Sequence, residues 1–169
     1  MLITIELGNI VRQPDCDAIV NSANQNLRAG SGVCGAIYKA AGPELEPCSI
    51  QQAPLGLGAA VITPGFNLPN RFVIHTRGPK YFFDEDPPDN LAAAMRNTLL
   101  IAEEYKLARI AVPAISMGIF AYPPEEAIPI LVRAAKEVGR KLQYVKEVRF
   151  VVLDDGLFRL FSNEIQRTK

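Results

Sequence analysis

Short β-branched runs alternate along this chain with longer segments of 3.6-residue period, and that alternation restricts the fold more than any single motif does. Leu2–Leu7 reads as a strand, as do residues 18–21, 60–63, 71–76, Arg109–Val112 and the strongly apolar residues 148–153. Helical spacing covers residues 33–41, which end at Gly42-Pro43, a C-terminal stop. A second helix is expected from an N-cap at Asp89 through Tyr105, burying Leu91, Met95, Thr98, Leu99, Ala102 and Tyr105. A third covers residues 124–138, with Pro129 bending or delaying its first turns. Leu157, Leu160, Phe161 and Ile165 are spaced for a last helix. Strands alternating with helices predict an α/β fold whose mostly parallel sheet carries helices on both faces. Residues 82–90, with four acids and two prolines, read as an exposed loop.

Residues 1–169 fit one domain, long enough to bury roughly 70% of the unfolded surface. Eighteen basic residues balance eighteen acidic ones, so the chain has no general pull on nucleic acid or an anionic membrane. Any anion site must therefore be local and built from backbone. The N-terminus lacks a basic region and a long apolar run, and reads as a strand rather than a signal peptide. No apolar stretch approaches the ~18 residues of a membrane span. Cys16, Cys34 and Cys48 form no C-x-x-C pair and suit a reducing cytoplasm, and the lone His75 argues against zinc. Neither a metal nor a cofactor is expected. Oligomeric state is open at this level.

Two loops carry the chemistry. In the first, Gly30-Ser31-Gly32-Val33-Cys34-Gly35 lies between a strand and a helix. Its glycines let backbone N–H groups approach a ligand, and the helix start adds partial positive charge, so a phosphate is the natural guest. The stretch matches G-x-G-x-x-G, yet eight residues separate it from its strand and no acid ends a following strand, both unlike a dinucleotide fold. A glycine turn that merely packs closely is the blander alternative. In the second, strand Arg109–Val112 runs into Ser116-Met117-Gly118-Ile119-Phe120 and then a helix. Two such loops at the carboxyl ends of strands could grip a diphosphate from both sides. Phe120 lies against a sugar or base, or is a core aromatic.

Five stretches carry a family resemblance: Gly8-Asn9-Ile10, residues 17–24, residues 30–42, residues 73–79 around His75, and residues 113–123. In order and spacing they resemble the successive motifs of macrodomains, over nearly the whole chain. The resemblance implies a three-layer α/β/α fold with a mixed, mostly parallel central sheet, and a cleft for ADP-ribose or a derivative of it. It implies Asn9 and Ile10 at the adenine, Ala23 and Asn24 at the distal ribose, and Gly32, Val33, Cys34 and Gly35 with Ser116, Met117, Gly118, Ile119 and Phe120 at the diphosphate. Gly30 and Ser31 complete the first loop, and Leu153 lines the adenine pocket.

Two departures bear on activity. The family's first motif usually has Asp where this chain has Asn9, which can accept a hydrogen bond but without charge assistance. MacroD-type hydrolases carry an Asp just after the glycine stretch, where this chain has Cys34, a poor general base. Near a helix N-terminus a thiol can become nucleophilic, but packing is the favoured reading of Cys34. His75 reads as a structural strand residue, and Ser116 lacks a nucleophile elbow. Two classes stay open: an enzyme that hydrolyses ADP-ribosyl esters or O-acetyl-ADP-ribose, with Asn24 as its catalytic residue, and a binding module. A different nucleotide-binding α/β protein is the more distant alternative.

Overall fold

The computed structural model describes residues 1–169. Six strands form one sheet: β1 (Leu2–Leu7), β2 (Ala18–Ser22), β3 (Ala60–Pro64), β4 (Phe72–Thr76), β5 (Arg109–Val112) and β6 (Glu147–Val152). Their order is β1-β6-β5-β2-β4-β3, and every neighbouring pair is parallel except β3 with β4. The helices are α1 (Gly32–Ala41), α2 (Leu45–Ser49), α3 (Pro87–Glu104), α4 (Pro124–Gly139) and α5 (Asp155–Arg167).

The period of two along each strand sorts side chains into two cores. Val20, Ile74, Ile110 and Phe150 face α3, α4 and α5, joining Leu91, Leu99, Leu131 and Phe161. Their neighbours Ile19, Val73, Ala111 and Val151 face the other way, against Ile37, Tyr38 and Ala41 of α1 and Leu45 of α2. The result is the expected three layers with a mixed, mostly parallel sheet.

The helix expectations need four corrections. α3 starts at Pro87, two residues before the expected cap, because proline lacks the N–H that a first turn leaves unpaired anyway. Asp86, at φ 42°, precedes it, so the exposed loop ends there. Tyr105 lies past the end of α3 and is exposed, while Ala94 joins the buried stripe. Pro129 neither delays nor breaks α4, which runs unbroken from Pro124. The sequence pattern does not announce the short α2, in which Pro47 is the third residue, where no intrahelical acceptor is needed.

The two ends of the sheet differ. At the amino ends of β5 and β6, Arg149 binds Asp15 at 2.8 Å and Arg109 binds Glu147 at 2.6 Å. Hydrogen bonds from Arg149 hold the Asp15 carboxyl down at about 2. At the carboxyl ends, β2 leads to α1 on one face and β5 to α4 on the other. The chain thus diverges between two adjacent strands, and such a divergence leaves a crevice.

Candidate functional site

The crevice has two chambers. One, of about 350 Å³, is largely apolar and lined by Asn9, Ile10, Met117, Leu153, Asp154 and Leu157 among others. The second, of about 200 Å³, is lined by Ser22, Asn24, Gly30, Ser31, Cys34, Ser116, Ile119 and Phe120. They share Gly32 and Val33 from the first loop and Ala114 and Gly118 from the second. These four residues form a waist between the chambers.

The waist is where backbone is bare. A methyl group built on Gly32 or on Gly118 would meet nothing within 4 Å. Gly32 also has φ +58°, a conformation that costs other residues about 1–2 kcal/mol. As the first residues of α1, Gly32, Val33 and Cys34 have N–H groups with no intrahelical acceptor. Across the waist, the N–H groups of Gly118, Ile119 and Phe120 donate to no protein acceptor. Six unpaired donors and a helix N-terminus line one recess with no nearby carboxylate in the smaller chamber, which suits an anion.

The first loop is braced from below by side chains. The Asn24 amide donates to the Arg28 carbonyl at 2.7 Å, and its oxygen accepts from the Arg28 N–H at 3.1 Å. Glu46 accepts from the Ala29 N–H at 2.7 Å. Tyr38 and Ser49 hydroxyls both donate to the Leu27 carbonyl, at 3.0 and 2.7 Å. Leu27 itself is buried at φ 53°. The second loop holds itself by backbone turns, with Met117 N–H on Ala114 oxygen and Tyr122 N–H on Ser116 oxygen. Ser116 and Ala121 both sit at positive φ. The Ser116 hydroxyl is buried without a hydrogen-bond partner, wedged against Gly78, where a methyl group would overlap it.

Most residues singled out in the sequence meet here, but two do not. Ala23 is fully buried with Leu27 and Leu55 beneath the first loop, and Ser22 lines the chamber instead. Strand alternation and the turn after β2 point its methyl inward. Gly35 faces the back of the loop, where a methyl group would collide with the Gly30 carbonyl. There the absence of a side chain lets α1 pack closely against the loop. Sequence reasoning also passed over Asp154, which lines the apolar chamber and caps α5 by accepting from the Leu157 N–H at 2.8 Å. An acid between a strand and a helical pattern was the available signal.

Cys34 and His75 behave as packing groups. Burial raises the Cys34 thiol above its usual range, and its sulfur lies 3.5 Å from the Arg28 carbonyl. His75 is fully buried between Asn21 at 3.1 Å and Thr63 at 3.0 Å, and burial pushes its imidazole down to about 4. Phe120 is no core aromatic; it lines the smaller chamber, with the Lys80 ammonium 5.6 Å from its ring centre. The protein has no cluster of residues arranged to hold a metal ion, and no helix long and apolar enough to cross a membrane.

Another hollow, of about 380 Å³, lies between Met1, Lys136, Arg140 and Lys169. It sits at the carboxyl ends of α4 and α5, where the helix dipoles are negative and the basic side chains serve as complements to them.

Residues 20–131 match the model of the macro domain family. The chain is 44% identical to a macro domain-containing protein of Ralstonia nicotianae over 151 residues, 88% of each chain. It is 41% identical to an O-acetyl-ADP-ribose deacetylase of Salmonella newport, covering 90% of this chain and 88% of that one. Among solved structures it resembles a mutant of the Oceanobacillus iheyensis macrodomain determined with ADPR, at TM-score 0.92 and 32% identity. That match covers 97% of this chain and 91% of the other.

Proposed function

The chain belongs to the macro domain family, and from that premise we propose that its two-chambered cleft binds ADP-ribose or an ADP-ribosyl derivative in the cytoplasm. The observation that carries the reading is the waist. Unpaired N–H groups of Gly32, Val33 and Cys34 on one side, and of Gly118, Ile119 and Phe120 on the other, suit a diphosphate. The apolar chamber then takes the adenine, between Ile10, Val33 and Leu153, with Asn9 and Asp154 as its polar groups. The smaller chamber takes the distal ribose, beside Asn24 and Phe120. Residues 1–169 act as one unit in this reading. Calorimetry tests it: ADP-ribose should bind more tightly than NAD, and the reverse order would favour a different nucleotide protein.

Binding is the activity these residues support by themselves. The smaller chamber holds no carboxylate, imidazole or amine, and burial pushes its one ionisable group, the Cys34 thiol, above the usual thiol range. A second reading, hydrolysis of an acyl ester on the distal ribose, is favoured by the Salmonella newport relative named as a deacetylase. It would require Asn24 and the ligand's own phosphates to orient the water. Incubation with O-acetyl-ADP-ribose and a glutamate-ADP-ribosylated peptide, read by mass, separates the two. If a missing carboxylate limits turnover, Cys34→Asp raises it, at some cost in stability for a desolvated acid. No gain would point to a pure binder or to another route.

A further inference from the structure

We infer that the turn at residues 80–86 is a docking ridge for the protein to which the ADP-ribosyl group is attached, at a segment with an apolar side chain beside basic ones. The inference rests on the ADP-ribose reading above and names the class of substrate for that same cleft.

Phe82 and Phe83 are 74% and 86% exposed, and Ile119, at the tip of the second loop, is 83% exposed. Single exposed apolar residues are ordinary, but two consecutive phenylalanines this exposed are not. Nor are they free to fold away. The Phe83 and Asp84 N–H groups both donate to the Lys80 carbonyl, at 3.1 and 2.9 Å, and Asp84 accepts from the Lys80 N–H at 2.8 Å. The turn is fixed to the cleft, since the Tyr81 N–H donates to the Phe120 carbonyl at 2.9 Å and the Tyr81 ring packs on Tyr122, 4.9 Å between centres. The Phe82 ring continues that aromatic row at 5.0 Å from Tyr81.

The position decides what meets the ridge. Phe120 lines the chamber assigned to the distal ribose, and the distal ribose is the end through which an ADP-ribosyl group joins its carrier. A carrier that leaves the cleft past Phe120 meets the turn that the Tyr81 N–H ties to the Phe120 carbonyl, and with it Phe82 and Phe83. Free ADP-ribose ends inside the chamber and does not reach them.

Charge gives the partner's character. Asp84, Glu85 and Asp86 follow the phenylalanines, and Glu126 joins them by accepting from the Tyr81 hydroxyl at 3.1 Å. Against these four acids the turn has one base, Lys80, in a chain balanced overall at eighteen of each sign. A segment with lysine or arginine around an apolar residue complements this surface.

The test uses the whole protein and three probes: free ADP-ribose, an ADP-ribosylated peptide flanked by leucine, lysine and arginine, and the same modification flanked by serine and aspartate. The unaltered protein should bind the basic peptide about tenfold more tightly than free ADP-ribose, as expected for one or two anchor side chains. Phe82→Ser with Phe83→Ser should abolish that advantage while free ADP-ribose binds within about twofold of before. Glu85→Lys should remove part of it, and the acidic peptide should show none. An advantage that is absent in the unaltered protein, or that survives both variants, overturns the docking ridge. So does a dimer in sedimentation that the double serine variant dissociates, since the ridge would then face a second copy. Failure of the unaltered protein to bind free ADP-ribose would instead overturn the reading of the cleft itself.

Discussion

The two loops around the waist do the same job by opposite means. The first is held from below by Glu46, Tyr38 and Ser49, three side chains outside the loop, and by Asn24, which brackets Arg28 within it. The second has no such braces. It is closed by its own backbone turns, two residues at positive φ, a tight fit against Gly78 and one backbone hydrogen bond from Tyr81. A braced loop can lose one support and keep its shape, whereas a loop held by backbone conformation depends on which residue sits at each position. Both leave their glycines bare at the same place, so the shared feature is presentation of N–H groups and not the means of support.

The largest expected effects test whether the walls are equal. Gly32→Glu fills open space with a negative charge where an anion is to sit. It should weaken ADP-ribose at least about 100-fold in calorimetry while the circular dichroism spectrum stays native. Gly118→Glu should do the same if both loops grip the diphosphate. Retained affinity in either variant would remove that loop from the site.

Gly35→Ala probes the packing side of the first loop. Its methyl group collides with the Gly30 carbonyl, and a backbone atom cannot swing aside as a flexible side chain does. The variant should lose about 1–3 kcal/mol in urea unfolding. An unchanged midpoint would show that the loop moves freely on α1.

The sheet beneath both loops carries a pH dependence. The His75 imidazole falls from 6.5 to about 4 in the folded chain because burial disfavours its charge. Above pH 6.5 it is neutral in both states and costs nothing. Below that pH the unfolded chain takes up a proton that the folded chain refuses, so stability falls as pH drops through this window toward 4. By pH 5 the loss is about 2 kcal/mol, and His75→Gln should remove that slope. A profile of unfolding midpoints that keeps the slope in the variant would assign it to other groups.

The smallest effect lies beyond the waist. Asn9 already uses its side-chain oxygen on the Val11 N–H at 3.0 Å, so a carboxylate would serve both that turn and an adenine amino group. Asn9→Asp should tighten ADP-ribose by about threefold and leave ribose phosphate unchanged. Equal gains for both ligands would place Asn9 away from the adenine.

Sequence patterns foretold the sheet closely because each strand is a short β-branched run with clear ends, and β1 and β5 fall on the expected residues. The start of α3 was misread because Pro87-Pro88 breaks a helix in its middle but opens one at its start. The bare glycines were legible, since glycine before a helix pattern marks where backbone can be approached. What held them was not. Glu46 and Ser49 lie on α2, the helix no pattern announced, and their reach to Ala29 and Leu27 exists only after folding. The direction of a side chain explains the rest: Ala23 and Gly35 lie in the right stretches but face inward and backward, while Asp154 and Phe83 face outward from stretches read for other reasons.

The most direct test is a structure of the protein with ADP-ribose. The diphosphate oxygens should lie about 3 Å from the backbone nitrogens of Gly32, Val33 and Cys34 on one side and of Gly118, Ile119 and Phe120 on the other. A diphosphate held by one loop alone, or seated between Lys136 and Arg140 at the far end of the helices, would contradict the account.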